Sequence, residues 1–288
     1  MGLAAWFRRM RGARERDAAV TVSPRPRDDD RQGRARRWLE AFEAGLLNPP
    51  QDVHDAAAWD TYWRNQLEYG GDSGMADMMA STPGFPEWLR RRGARTVLCA
   101  GNGLSFESLS LALFGFEVSS LDIAPWCAET MLHSFAGPNH FVRAIPGCRL
   151  REDGVLAFET EGPLDLAGFQ PVHSDDAAAA LGGGSLAVAT GDLVDPAICP
   201  GPFDVVIERR TVQLFPAADR SRAFERLAAR LSPHGVLVSQ QHLGGWRPGQ
   251  SRTHFGERWL RSHGFVITEP DDGAPLTGRI AWLMTTSG

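Results

Sequence analysis

The sequence predicts an α/β protein: a mostly parallel, seven-stranded sheet with helices on both faces and a helical cap in front of it. Three observations carry this. After Ala94, short apolar runs alternate with amphipathic stretches, the pattern of strand–helix–strand units that build a parallel sheet. Residues 34–94 show helical spacing and no strand signal. Glycines and acidic residues recur at the carboxyl ends of successive predicted strands, which is where open α/β sheets hold ligands.

The chain starts with a segment, residues 1–33, that combines an arginine-rich opening with SPRPRDDDRQGR; opposite charges, prolines and few apolar residues predict a disordered tail. Residues 34–94 form the cap. RARRWLEAFEAGLL sets Trp38, Leu39, Phe42 and Leu46 at three- and four-residue spacing, one apolar stripe of a helix that Asn48-Pro49-Pro50 ends. A second cap helix spans 55–67 with Trp59, Tyr62 and Trp63, and a third covers 86–92. Trp59 and Trp63 either pack against the sheet or close over a ligand.

The sheet domain, residues 95–288, follows. Strands are expected at 96–100, 117–121, 186–190, 204–208 and 235–240, with helices across 106–113, 125–135, 217–231 and 256–263. Two terminal strand-like runs, 265–269 and 279–285, flank Pro270-Asp271-Asp272-Gly273, turn chemistry that suits an antiparallel hairpin. An insertion at about 137–184 interrupts the alternation; a connection of that length predicts a lid or subdomain, with a small hairpin over 149–160 turning at Asp153-Gly154.

Bulk composition excludes several classes. Hydrophobic content of 43% and charged content of 23% describe a globular chain. All 30 basic residues are arginine, with abundant alanine and glycine, a bias that suggests a GC-rich bacterial genome rather than a nucleic-acid interface. The net charge of -5 argues the same way. Cys99, Cys127, Cys148 and Cys199 are scattered without a CxxC pair, so no zinc site or disulfide framework is expected, and a reducing, cytoplasmic setting is. No apolar run approaches the roughly 18 residues of a membrane helix, and MGLAAWFRRM reverses the order of a secretory signal. The expected partner is a small molecule, with neither nucleic acid nor membrane.

Four features fall at strand ends. The first is the turn Gly101-Asn102-Gly103-Leu104-Ser105 after strand one, whose glycines allow close approach and whose helix offers unpaired N–H groups, with Glu107 in the first helical turn. The second is Asp122, followed by Ile123, 19 residues beyond Gly103; a carboxylate there accepts hydrogen bonds from ribose hydroxyls or caps the next helix. The third is Gly191-Asp192-Leu193, placed to receive an adenine amino group. The fourth is FDVVIERRTVQLFP, whose Glu208-Arg209-Arg210 run opens toward the cleft or lies on solvated surface.

Together these residues resemble a class I S-adenosylmethionine-dependent methyltransferase. The family's E/D-x-G-x-G-x-G loop is matched by Cys99-Ala100-Gly101-Asn102-Gly103-Leu104-Ser105, and its later motifs by Asp122, Asp192, Phe203–Val206 and LAARLSPHGVLV. The resemblance covers roughly residues 55–288 and is nearest the small-molecule branch with thiopurine and tellurite-resistance enzymes. It implies a Rossmann-like sheet with an antiparallel C-terminal strand, which NAD dehydrogenases lack. It also implies S-adenosylmethionine as cofactor, held by Cys99, Gly101, Asn102, Gly103, Asp122, Ile123, Gly191, Asp192, Leu193 and Glu208. Two departures stand out: Cys99 replaces the acidic residue, and Ser105 replaces the third glycine. Methyl transfer is an in-line displacement that relies on alignment, with a base needed only when the acceptor loses a proton. Glu208 and His242 are the expected bases, and Arg209, Arg210 and Gln213 are placed to hold a polar or anionic acceptor. The rival readings are an NAD-dependent oxidoreductase, although the chain has neither a Tyr-x-x-x-Lys signature nor any lysine, and a catalytically silent cofactor-binding relative.

Overall fold

A computed structural model describes residues 28–69, 84–105, 107–136, 148–153, 155–158, 182–242, 254–269 and 278–286. The expected tail before residue 28, most of the lid insertion and the Pro270–Gly273 turn lie outside the described residues.

Three helices precede the sheet: α1 (Asp28–Glu43), α2 (Ala56–Tyr69) and α3 (Phe85–Arg91). Helix α1 begins inside the segment expected to be disordered. The sheet domain then runs β1 (Thr96–Ala100), α4 (Glu107–Leu113), β2 (Glu117–Asp122), α5 (Pro125–Ala136), β3 (Cys148–Leu150), β4 (Leu156–Phe158) and β5 (Ser185–Thr190). It continues with β6 (Phe203–Arg209), a 3₁₀ turn (Val212–Leu214), α6 (Arg220–Ala229), β7 (Leu231–His242), α7 (Glu257–Ser262), β8 (Val266–Ile267) and β9 (Ile280–Thr286).

The strands form one nine-stranded sheet in the order β3-β4-β5-β2-β1-β6-β7-β9-β8. Seven of them, β5 through β8 in that order, are parallel; the hairpin β3–β4 adds two antiparallel strands at the β5 edge. The sequence-based expectation of an antiparallel C-terminal strand is therefore corrected. Val236 of β7 and Val266 of β8 both pair with Ile280 of β9, and the registers ascend together. Turn residues set where a chain bends, but not which strand it returns to. The 12 residues from Thr268 to Arg279 are enough for a crossover between parallel neighbours. The order itself is informative: a dinucleotide fold runs outward 4-5-6 on this side, whereas here the last strand is inserted before its predecessor.

Strand alternation divides the core into two layers. Val97 and Cys99 face α2–α5 in one cluster, while Leu98 and Ala100 face α6 and α7 in the other. Asp204, from the FDVV run, stitches β6 to the start of β1. Its carboxylate accepts from the backbone N–H of Arg95 (2.8 Å) and Thr96 (3.1 Å) and from the Thr96 hydroxyl (3.2 Å). No described helix is long and apolar enough to cross a membrane.

One expected buried face is not buried among the described residues. Trp38, Leu39, Phe42 and Leu46 are 40–53% exposed, with the Trp38 and Phe42 rings stacked on each other. Helical spacing identifies an apolar face but not what it packs against.

Candidate cofactor and acceptor site

A cavity of ≈ 240 Å³ opens at the carboxyl ends of β1, β2, β5, β6 and β7, at the point where the strand order reverses between β1 and β6. The sheet supplies Cys99, Ala100 and Asp122; the loop after β5 supplies Gly191, Asp192 and Leu193. Arg209, Arg210, Thr211 and Gln213 come from β6 and its turn, and His242 ends β7. Trp59, Tyr62 and Trp63 of α2 roof it, joined edge to face at 5.3 and 5.1 Å between ring centres. These aromatic residues both pack on the sheet core and line the cavity, so the two roles expected for them coincide.

The glycine loop is held shut by its own side chains. Asn102 donates to Ser105 O (3.1 Å) and Ser108 Oγ (3.2 Å), and Ser105 Oγ accepts from Glu107 N (3.4 Å), so the serine in the third-glycine position caps α4. Gly101 and Gly103 both have positive φ, 64° and 53°. A Cβ on Gly101 would lie 2.3 Å from the Thr211 side chain, and one on Gly103 would lie 2.3 Å from the Trp63 ring. The glycines thus make room for protein groups on these faces, and Gly103 is not part of the cavity wall.

Asp122 is buried, and its carboxylate accepts from Gly103 N (2.7 Å) and Ala124 N (2.9 Å). It therefore ties the glycine loop to the end of β2 and caps the following turn while still facing the cavity beside Ile123. Burial pushes its pKa up to about 6, against the pull of those backbone bonds. Asp192 accepts from Val194 N (2.9 Å) and pairs with His54 Nδ1 at 2.5 Å, joining the cap to the β5 loop. His54 also meets the Phe215 ring edge to face. The sequence offered no signal for His54, which lies in an irregular stretch after Pro49-Pro50.

The charged run after β6 splits by face. Glu208 is 0% exposed and does not line the cavity, which corrects both roles expected for it. Its carboxylate accepts from Thr211 N and Val212 N (both 3.1 Å) and from the Ser239 hydroxyl. Ser239 Oγ lies 3.1 Å from His254 Nε2, while His254 Nδ1 accepts from Gly256 N (3.1 Å). That last bond places the imidazole proton on Nε2, so every donor in the chain points toward Glu208. Burial pushes the Glu208 pKa up to about 7 and the His254 pKa down to about 4.

Arg209 faces the cavity but is engaged: its guanidinium pairs with the buried Glu107 carboxylate and donates to Gln240 Oε1 (2.7 Å). Arg210 has φ 60°, a left-handed conformation that side chains seldom adopt outside functional sites, and its N–H donates to Gln240 O (2.7 Å). Gln213 Oε1 accepts from His242 N (2.7 Å), holding the turn against β7. Burial, and then the nearby Arg210 cation, lower the His242 pKa. Its imidazole is therefore neutral at physiological pH and able to take a proton.

No protein-family model matches the chain, and no curated protein does. Among solved structures it is similar to magnesium protoporphyrin IX methyltransferase from Synechocystis PCC 6803 with bound SAM. That match has 15% identity and a TM-score of 0.40, over 86% of this chain and 91% of that one. It is also similar to CalS10, an amino pentose methyltransferase from Micromonospora echinaspora, at 17% identity and TM-score 0.34, over 73% of this chain and 58% of that one. A (S)-3-hydroxybutyryl-CoA dehydrogenase from Ralstonia eutropha matches at 16% identity and TM-score 0.28, over 51% of this chain and 41% of that one. Likeness of this degree carries no residue's role across.

Proposed function

We propose that this chain binds S-adenosylmethionine and transfers its methyl group to a small-molecule acceptor. The observation that supports this most is the position of Glu107. A dinucleotide fold rests its pyrophosphate on the helix after the glycine loop. Here the first turn of that helix presents a buried carboxylate to the cavity, already paired with Arg209, and a pyrophosphate would meet it as a like charge. A ligand with a sulfonium and an ammonium group suits a wall that also holds Asp122 and Asp192.

The donor set fits such a cofactor. Asp122 and Asp192 present carboxylate oxygens for hydroxyl and amino donors, and Ile123 and Leu193 offer apolar faces for a purine. The cofactor, when bound, supplies an activated methyl group, so the protein's share is alignment and exclusion of water. The α2 aromatic residues close the roof, and neutral His242 receives the acceptor's proton where one must leave. A roofed cavity of this kind favours a small acceptor, in keeping with the thiopurine and tellurite-resistance branch.

Titration calorimetry with S-adenosylhomocysteine and NAD in parallel tests the reading. Binding of the homocysteine compound with no NAD heat is the expected result; the reverse would overturn it in favour of an oxidoreductase. Given a substrate, His242→Ala lowers kcat by about 10²-fold for acceptors that lose a proton, with cofactor affinity unchanged. A variant that binds cofactor normally and turns over such acceptors at the full rate removes His242 from that role. A chain that binds the cofactor yet methylates nothing across O, N, S and metalloid acceptors is the silent relative.

A further inference from the structure

The irregular stretch before α2 forms part of the cavity, which Pro49 and Val53 line. Two ties hold it there. Trp59 Nε1 donates to Val53 O (3.2 Å), and His54 Nδ1 lies 2.5 Å from Asp192 Oδ2 in the loop after β5. Asp192 is on the cavity wall, whereas His54 is not. His54 stands behind its partner, with its ring edge to face with Phe215 (5.7 Å between centres) and its backbone N–H bonded to Asp52 Oδ1 (2.9 Å). An ionised carboxylate only accepts, so Nδ1 carries the proton in this contact whether the ring is neutral or charged. The other oxygen, Asp192 Oδ1, accepts from Val194 N (2.9 Å). One bond to each oxygen fixes the plane of the carboxylate and leaves a further lone pair on each for a ligand. Arg230 feels the same charge, yet its guanidinium donates to the carbonyls of Cys199, Arg226, Asp195 and Ile198.

We propose that His54 positions Asp192 to read the amino group of a purine, so that the cap sets the base specificity of the cavity. That this purine is the adenine of S-adenosylmethionine rests on the methyl-transfer reading. A held carboxylate accepts from a 6-amino group and repels a 6-oxo group, so it separates adenine from hypoxanthine. A carboxylate free to turn must be ordered when the base arrives, and part of the discrimination is lost. His54 touches no ligand and acts through Asp192.

The probes are S-adenosylhomocysteine and S-inosylhomocysteine, which differ in that one group, titrated into the full chain. The wild type prefers the adenosyl compound by roughly 30-fold, and His54→Ala cuts that preference about tenfold. Each preference is a ratio measured on one variant, so a general loosening of the fold cancels from it. His54→Asn places an amide N–H at about the position of Nδ1 and restores most of the preference. A latch that only pins the cap would weaken both compounds alike in His54→Ala. That result, or a preference that His54→Asn does not restore, overturns the proposal. If S-adenosylhomocysteine binds but the wild type does not discriminate between the bases, the methyl-transfer reading stands and the His54 assignment falls. If the chain instead prefers NAD over nicotinamide hypoxanthine dinucleotide, and His54→Ala removes that preference, His54 keeps its role while the methyl-transfer reading fails.

Discussion

Glu208→Ala destabilises the folded chain by roughly 3–6 kcal/mol at about pH 5, where the side chain is protonated. Three donors lose their acceptor at once: Thr211 N, Val212 N and the Ser239 hydroxyl. Val212 and Ser239 are wholly buried, so water does not replace the missing carboxyl group. The damage reaches the cavity without Glu208 touching it, because the released turn carries Thr211, Gln213 and Phe215. The wall of the cavity therefore loosens along with the fold. Glu208→Gln keeps an acceptor for the two backbone donors and recovers most of the loss. Urea denaturation of both variants measures the effect; a Glu208→Ala cost below about 1 kcal/mol would remove the latch role.

The same residue sets a pH dependence of definite sign. Its pKa rises from 4.5 to about 7 on folding, so within that window the folded chain holds a proton that the unfolded chain has released. The contribution is fully present below about pH 4.5 and fades as pH rises toward 7, a change of ~3 kcal/mol. Asp122 acts in the same direction between 3.8 and about 6. His254 opposes both, since its fall from 6.5 to about 4 adds stability as pH rises through that range. The alanine variant has no group to titrate at position 208. Its deficit relative to wild type therefore narrows by ~2 kcal/mol between about pH 5 and pH 7.5. A deficit that stays constant or widens contradicts the raised pKa.

Much of the sheet was legible because its strands are buried on both faces and bounded by turn residues. The expected run 96–100 is β1 itself, and 117–121, 186–190 and 204–208 fall within a residue of β2, β5 and β6 at either end. Partner and direction were less legible. A Pro-Asp-Asp-Gly turn suits a hairpin, yet β9 runs parallel to both its neighbours, a choice made by tertiary packing. The site follows the same division. Cys99, Asp122, Asp192, Arg209 and His242 line one cavity because strand ends converge there, whatever their side chains then bond. Glu208 and Arg209 part at the end of β6, Glu208 toward Ser239 and Arg209 toward Glu107, a split that residue type alone does not reveal. His54 had no signal either, since irregular chain between Pro50 and α2 has no periodicity to read.

Glu107→Ala is expected to cost about 3–5 kcal/mol, and more than Arg209→Met. The ion pair is buried, with 2% of the Glu107 side chain and 10% of the Arg209 side chain exposed. Removing one member of a buried pair strands the other, but here the two losses are unequal. Without Glu107, the neighbouring guanidiniums of Arg209 and Arg210 lose the carboxylate that both face, and Arg209 keeps its bond to Gln240 Oε1. Without Arg209, Glu107 still faces the charge of Arg210, so the carboxylate is not stranded. The double variant Glu107→Leu/Arg209→Met removes both charges and should be closer to wild type than Glu107→Ala alone, as apolar replacements of buried pairs often are. A double-mutant cycle by chemical denaturation tests this ordering. If Arg209→Met proves as damaging as Glu107→Ala, then Arg210 does not share the carboxylate.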